Sequence, residues 1–181
     1  GGLAGQNISI VSGLAIGTDT LAHKAALAAG LHTIGMPGSG LDRSVLHPRS
    51  NVGLADEIVR KGGALISEYE PKYPAGVYTF PRRNRIMAGL AKAVLVIEAS
   101  ERSGTRITAR LATEYGRDVL AVPGSIFAPN SVGANSLLKL GATPITSSSD
   151  ILTALGLQAD ESGQKVLNLD DLTDNERKLV E

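Results

Sequence analysis

Short runs of β-branched and aliphatic residues alternate with longer stretches of helical periodicity along most of this chain. The runs AVLVIE and VLAV hardly alternate between apolar and polar residues, which is typical of central strands buried on both faces. With right-handed crossovers, this rhythm predicts an α/β fold, namely an extended Rossmann-like three-layer sandwich with a mostly parallel, doubly wound sheet. The first helix is predicted near residues 18–29, and strands are predicted near residues 8–11, 32–36, 64–67, 93–97, 119–122 and 143–145.

The composition is that of a folded chain and excludes several kinds of chemical site. The 181 residues are 43% hydrophobic and 20% charged, which excludes a disordered class. The absence of cysteine excludes disulfides, thiolate metal sites and a cysteine nucleophile. His23, His32 and His47 lack the spacing of metal ligands, so we predict neither a metal nor a cofactor. No apolar run approaches the length of a membrane span, and we expect a cytoplasmic protein.

The sequence divides into one predicted domain and a polar C-terminal part. We predict a Rossmann-like domain over residues 1–156 and a polar linker or peripheral arm over residues 157–172. Thr173 and Glu176 form a capping-box pattern, so residues 173–181 are predicted to begin a further domain. Because only a few residues precede the first predicted strand, we expect the chain to be a fragment of a longer protein.

The net charge is zero, but the charges are distributed unevenly. Residues 81–117 hold eight basic and three acidic residues, so this segment carries +5 and the remainder carries −5. Such a local patch governs the encounter with a polyanion even when the whole chain is neutral. Aromatic residues make up only 3% of the chain, so extensive base stacking is not expected. Any nucleic-acid binding should therefore depend on backbone phosphates.

The most basic stretch, FPRRNRIMAGL at residues 80–90, lies at the predicted start of a helix. Pro81 suits the first helical position, where its missing N–H costs nothing. Guanidinium groups match the geometry of phosphate, and a helix N-terminus favours anions. A solvated basic turn paired with nearby acidic residues is the alternative interpretation. The anion-reading surface predicted here consists of Arg82, Arg83, Asn84 and Arg85.

In an open parallel sheet, ligands bind beyond the carboxyl ends of the strands, so the loops found there carry the candidate sites. After the first strand, Ser12, Gly13 and Gly17 are predicted to bring backbone N–H groups close to an anion. Asp19 and His23 lie four residues apart, a spacing that permits a hydrogen bond between them. Ordinary helix capping by Asp19 is the alternative, and the more common, explanation.

A second anion-binding nest is predicted after the strand AVLVIE. Ser103, Gly104 and Thr105 precede another helix, and Arg106 adds positive charge. The alternative is an ordinary Ser-Gly helix entry, with Arg110 and Glu114 paired along an exposed face.

Two further loops, at residues 36–48 and 122–135, contain Pro-Gly-Ser after a strand and are predicted to form turns at the rim of the crevice. Neither has the glycine spacing of a dinucleotide site or of a nucleophile elbow.

Five segments, in order, carry a resemblance to a known family: SGLAIGTDTLAHKAAL, GGALISEY, FPRRNRIMAGL, AVLVIEASERSGTRITARLATEYGRDVLAVPG and SVGANSLLKLGA. Over residues 8–155 the chain resembles the DprA/Smf family of bacterial DNA-processing proteins. The resemblance implies a Rossmann-like fold that is not an enzyme. It also implies a homodimer that binds and protects single-stranded DNA during natural transformation and helps to load the RecA recombinase. The implied DNA contacts are residues 82–85, residues 103–105 and the loop from Ser12 to Gly17.

The chain departs from the family pattern at three places. Ile16 stands where many relatives have a basic residue, Leu46-His47-Pro48 stands where Tyr-Pro is usual, and the family's upstream Gly-Ser-Arg loop is absent. The terminal LTDNERKLVE resembles the entry to a winged-helix-like domain. The dimer surface is predicted at residues 132–140 and the strand that follows.

Two other functions remain open from the residues. A nucleotide-processing enzyme similar to nucleoside monophosphate phosphoribohydrolases would be expected to show Pro-Gly-Gly-x-Gly-Thr followed by a glutamate. Here Pro-Gly-Ser stands at residues 37–39 and again at residues 123–125. A protein-binding adaptor is favoured if the arginine patch contacts an acidic partner.

Overall fold

The computed structural model of the protein describes residues 2–101 and 103–157. Within this part of the chain, strands and α-helices alternate as the sequence predicts. The first and last residues of each predicted strand lie within two residues of those observed. The predicted arm and the predicted final domain at residues 158–181 lie outside the described residues. In chain order the elements are β1 Ser9–Ser12, α1 Thr18–Ala28, β2 His32–Gly35, α2 Val52–Arg60, β3 Ala64–Leu65, α3 Thr79–Leu90, β4 Ala93–Val96, α4 Thr105–Glu114, β5 Asp118–Ala121, α5 Val132–Lys139, β6 Thr143–Pro144 and α6 Ser148–Ala154.

The described strands form two parallel ladders of three strands each, in the orders β1-β2-β3 and β4-β5-β6. Ser9 of β1 is in register with His32 of β2, and Ala93 of β4 with Asp118 of β5. Each order runs outward from the first strand of its half, as in the two halves of a doubly wound sheet. The predicted Rossmann-like α/β fold is confirmed, and its carboxyl edge carries the loops after β1, β2, β3, β4 and β5.

Each half has its own apolar cluster. In the first half, Leu54, Ala55 and Ile58 of α2 are buried against Leu14 and its neighbours. Burying a leucine or isoleucine contributes about 1.5–3 kcal/mol, so α2 is held to its sheet mainly by this face. The second cluster is built largely from small residues, which allows the backbones to approach closely. It consists of Val96, Ala99, Ala109 and Ala134.

Two loops at the carboxyl edge are joined backbone to backbone. The Gly40 N–H donates to the Tyr73 carbonyl at 2.8 Å, and the Asp42 N–H donates to the Pro71 carbonyl at 2.8 Å. A side chain on Gly40 would lie 2.1 Å from the Glu70 carbonyl oxygen. The segment 36–40 is buried under this contact. The predicted rim turn at Pro37-Gly38-Ser39 is therefore buried at the carboxyl edge, because the loop of residues 66–78 covers it.

Within the described ranges 2–101 and 103–157, no helix combines the length and the apolar character needed to cross a membrane.

Candidate nucleic-acid interface

The start of α3 is bound to the loop that follows β1, although the two are 70 residues apart. Arg83 is only 6% exposed, and its Nη1 atom donates to the Gly13 carbonyl oxygen at 2.9 Å. Its Nε atom donates to the Asn84 Oδ1 atom at 3.1 Å. A Cβ atom on Gly13 would lie 2.6 Å from the two terminal nitrogens of Arg83. Gly13 is thus the position that leaves room for this guanidinium.

The basic residues of α3 do not share one surface. Arg83 and Asn84 are buried, at 6% and 8% exposure. Arg82 and Arg85, three positions apart, share the exposed face of the helix. Arg85 forms an ion pair with Glu68, as the alternative interpretation of a paired basic turn expects. Among the described residues, no carboxylate lies within ion-pair distance of Arg82, so Arg82 is the arginine of α3 that is best placed for a ligand.

Burial lowers the pKa of Arg83 from its ordinary value, while the negative charge of Asp19 opposes this shift. The side chain still carries its charge at neutral pH, since an arginine pKa lies far above 7. The guanidinium therefore adds positive potential beneath the crevice, although two of its donor atoms are already bonded within the protein.

The β1–α1 loop is fixed by internal hydrogen bonds. The Asp19 carboxylate accepts from the Ser12 hydroxyl at 2.5 Å and from the Ala15 N–H at 3.0 Å. Ser12 is therefore engaged within the loop, and Gly13 is buried against Arg83. Gly17 is exposed at the N-terminus of α1, where its φ of 93° suits glycine. Of the three loop residues predicted to approach an anion, Gly17 is the accessible one.

The permitted hydrogen bond between Asp19 and His23 is absent. His23 is fully buried, and its Nδ1 atom lies 2.6 Å from the Thr33 hydroxyl oxygen. The Thr33 hydroxyl donates to the Ile10 carbonyl, so the imidazole Nδ1–H is the donor to Thr33. The imidazole Nε2 atom has no hydrogen-bond partner among the described residues. The capping explanation of Asp19 is wrong as well, since no side chain caps α1 and the carboxylate accepts from the preceding loop instead.

Burial lowers the pKa of His23 below its ordinary value of 6.5. The unfolded chain therefore takes up a proton near pH 6.5, while the folded protein keeps the imidazole neutral to lower pH. We expect the free energy of unfolding to have its full value above about pH 6.5 and to fall as the pH drops, by up to about 1.4 kcal/mol per pH unit. Urea unfolding of the protein and of His23→Gln between about pH 5 and 8 checks this, because His32 and His47 remain in both. An equal pH dependence in the two proteins would contradict the assignment.

The second predicted nest is an ordered turn before α4. The Ser103 hydroxyl oxygen accepts from the Thr105 N–H at 3.2 Å and donates to the Thr105 hydroxyl at 3.0 Å. Gly104 is exposed between them. Arg106 donates to the Glu101 carbonyl at 2.8 Å, and Arg110 pairs with Glu114 at 3.4 Å. The pairing of Arg110 matches the alternative of an ordinary helix entry.

Glu98 links the two halves at the carboxyl edge, and its role was not predicted from the sequence. Its carboxylate accepts from the Thr18 hydroxyl at 2.6 Å and from the Asn130 amide at 3.4 Å. Its place directly after the apolar run AVLVI is the signal that indicates a polar group at a strand end. The Ser12–Gly17 loop and the segment before Ser103 therefore meet at the same edge.

The family model described as DNA recombination-mediator protein A matches residues 1–156 of this chain. The chain belongs to the DprA/Smf family. The resemblance recognised from the sequence segments is thereby confirmed.

Individual members of the DprA/Smf family show how far the similarity extends. Protein Smf of Escherichia coli K12 is 48% identical over 153 residues, covering 84% of this chain and 40% of the relative. The crystal structure of DNA processing protein A from Streptococcus pneumoniae matches with a TM-score of 0.75 at 46% identity, over 81% of this chain and 50% of that one. The Helicobacter pylori protein, whose structure was described for its unique single-stranded DNA binding mode, matches with a TM-score of 0.74 at 32% identity, over 84% of this chain and 68% of that one. The chain thus spans about half the length of curated relatives such as Smf, at 40%, and the pneumococcal protein, at 51%.

The structure also places the positions at which this chain departs from the usual DprA/Smf pattern. Ile16 is 76% exposed beside Gly17, at the crevice. Leu46 is buried in the first apolar cluster, and the His47 ring lies 5.9 Å from the Phe80 ring. Of these positions, Ile16 is the one at which a basic side chain would be free to reach a ligand.

Proposed function

We propose that this chain binds single-stranded DNA through its phosphates at the carboxyl edge of the strands. It would act as the DNA-binding core of a DNA-processing protein in natural transformation. Membership of the DprA/Smf family and the single-stranded DNA binding described for the Helicobacter pylori relative support this proposal. The observation that carries it is the exposed Arg82 at the start of α3, on a helix that Arg83 fixes against the loop after β1.

The charges around the crevice favour one path for the DNA. Asp19 and Glu98 are negative and lie toward α1 and β4, where hydroxyl and amide donors hold them. A phosphate is repelled by these carboxylates and attracted by Arg82 and by the positive end of the α3 dipole. The strand is therefore expected to lie on the α3 side of the crevice, with the exposed Gly104 turn as a second contact.

The remaining properties of the whole protein are proposals that rest on the family. We propose a cytoplasmic homodimer that protects incoming DNA and helps to load RecA, with α5 and β6 as the dimer surface. We further propose that the chain binds without turnover, because Asp19 and Glu98, two carboxylates at the carboxyl edge, are already engaged by structural hydrogen bonds. Chromatography of nucleoside monophosphates incubated with the protein would reveal a released base if this were wrong.

Replacing Arg82 with alanine is expected to weaken binding to oligothymidylate on the order of tenfold, because a charged hydrogen bond to phosphate is lost. Removing one phosphate contact should also reduce the slope of log affinity against log salt by about 0.7. Fluorescence anisotropy of a labelled strand at several salt concentrations measures both quantities.

Arg60→Ala is the matched control for this measurement. Arg60 is an exposed arginine at the C-terminal end of α2. The chain enters β3 shortly after this point, so Arg60 lies at the edge of the sheet opposite the proposed DNA site. Arg60→Ala should leave the affinity for oligothymidylate and its salt slope unchanged, whereas Ile16→Lys should raise both. Equal effects of Arg82→Ala and Arg60→Ala would reject binding at the carboxyl edge.

A further inference from the structure

A shallow groove lies where α3 packs against the end of α4. Its volume is about 390 Å³, and it is wide open to solvent. Two cationic side chains and one aromatic side chain are among those that line it. Its lining residues are Arg85, Ile86, Gly89, Leu90, Tyr115 and Arg117.

The Tyr115 ring lies beside the backbone of α3 at Gly89. A Cβ atom on Gly89 would make an ordinary van der Waals contact with this ring, at 4.0 Å. Arg117 donates to the Gly89 carbonyl at 3.0 Å, which holds this second guanidinium at the groove. Tyr115 is 44% exposed, and Leu90 is 57% exposed. A partly exposed tyrosine ring therefore lies in a groove that two arginines also line.

The groove is continuous with the proposed DNA site. Arg82, Arg85 and Gly89 follow one another at spacings of three and four on the same face of α3. The helix has 12 residues and is therefore about 18 Å long. A strand that leaves the crevice at Arg82 can follow this face to Tyr115.

We propose that the groove binds the next segment of the same single strand, with a nucleobase stacked on Tyr115 and neighbouring phosphates at Arg85 and Arg117. This inference rests on the proposed function. An acidic peptide would use the two cations but would gain nothing from the electron-rich ring face, whereas a nucleotide uses both. The carboxylates nearby are neutralised in part, since Glu68 pairs with Arg85 and Glu114 pairs with Arg110.

The protein contains no tryptophan, so Tyr115→Trp supplies a single fluorescent reporter at the groove. Oligothymidylates long enough to pass from the crevice to the groove should quench this fluorescence, whereas the shortest strands that bind should not. Val59→Trp, on the exposed face of α2, is the matched control and should not be quenched by either.

Affinity measurements test the stacking directly. Tyr115→Leu should weaken binding of long oligothymidylate about five- to a hundredfold, and Tyr115→Phe should restore it, because stacking needs the ring and not the hydroxyl. Neither variant should change the affinity for a strand whose groove segment is abasic. Arg117→Ala should weaken long strands and leave the shortest ones unchanged.

Each contrary result has a separate meaning. If Arg82→Ala weakens binding but Tyr115→Leu and Arg117→Ala do not, the groove inference is wrong while the proposed function stands. If Tyr115→Leu changes only the oligomeric state measured by light scattering, a second copy of the chain occupies the groove and the inference is also wrong. If the unaltered protein binds no oligothymidylate of any length, both fail.

Discussion

Replacing Arg83 with alanine is expected to lower the free energy of unfolding by about 3 kcal/mol. The guanidinium is 6% exposed and donates to the Gly13 carbonyl and to the Asn84 amide oxygen. Alanine leaves the Gly13 carbonyl without its donor and removes the cation that balances the charge of Asp19. Urea unfolding monitored by circular dichroism measures the loss.

Arg82→Ala is the matched control, since it removes the same charge from the neighbouring exposed position. It should change the free energy of unfolding by less than about 0.5 kcal/mol. The loss of stability in Arg83→Lys should fall between those of the two alanine variants. An ammonium keeps the charge but cannot reproduce the pair of hydrogen bonds that the planar guanidinium donates. If Arg83→Ala were as stable as Arg82→Ala, the structural role of Arg83 would be refuted. In DNA-binding measurements Arg83 variants must therefore be compared under conditions where they are folded.

Gly40→Ala is expected to destabilise the protein by about 3 kcal/mol or more. The added methyl group would lie 2.1 Å from the Glu70 carbonyl oxygen and 2.2 Å from the Pro71 carbonyl oxygen. Both are backbone atoms, so the clash is relieved only by separating the loops of residues 36–48 and 66–78. We expect a lower unfolding midpoint and faster proteolytic cleavage within residues 66–78.

Gly53→Ala provides the comparison for this substitution. Gly53 lies in α2, and no atom would come within 4 Å of an added Cβ. Alanine there should raise the free energy of unfolding by about 0.5–1 kcal/mol, since glycine is costly within a helix. A Gly40→Ala protein as stable as Gly53→Ala would show that the two loops are not joined as described.

These predictions assign two different roles to the arginines at the start of α3. Arg83 and Gly13 join α3 to the first half of the fold, and the stability predictions test this join. Arg82 is exposed at the edge where the DNA is proposed to lie, and the salt-dependence measurement tests it. The segment FPRRNR is thus both a structural element and a candidate binding element, and single alanine substitutions separate the two.

Part of this division is visible in the sequence once helical periodicity is applied. Arg83 lies three and four positions before Ile86 and Met87, on the side of the helix that the sequence predicts to be apolar. A charged side chain on such a face either reaches its edge or finds a buried acceptor. The sequence does not identify that acceptor, because the Gly13 carbonyl belongs to a loop 70 residues away.

Local patterns determined the strands, the order of helices and strands, the fold class and the loops that carry polar residues, because each depends on periodicity over a few neighbouring residues. Tertiary structure alone decided which residues in those loops face a ligand. Ser12 and Asp19 bond to each other, His23 lies against Thr33, and Arg85 pairs with Glu68. The partners are 7, 10 and 17 residues apart, so each contact joins two different elements or loops. Each outcome therefore depends on how one element packs against its neighbour, which the periodicity of a single element does not encode.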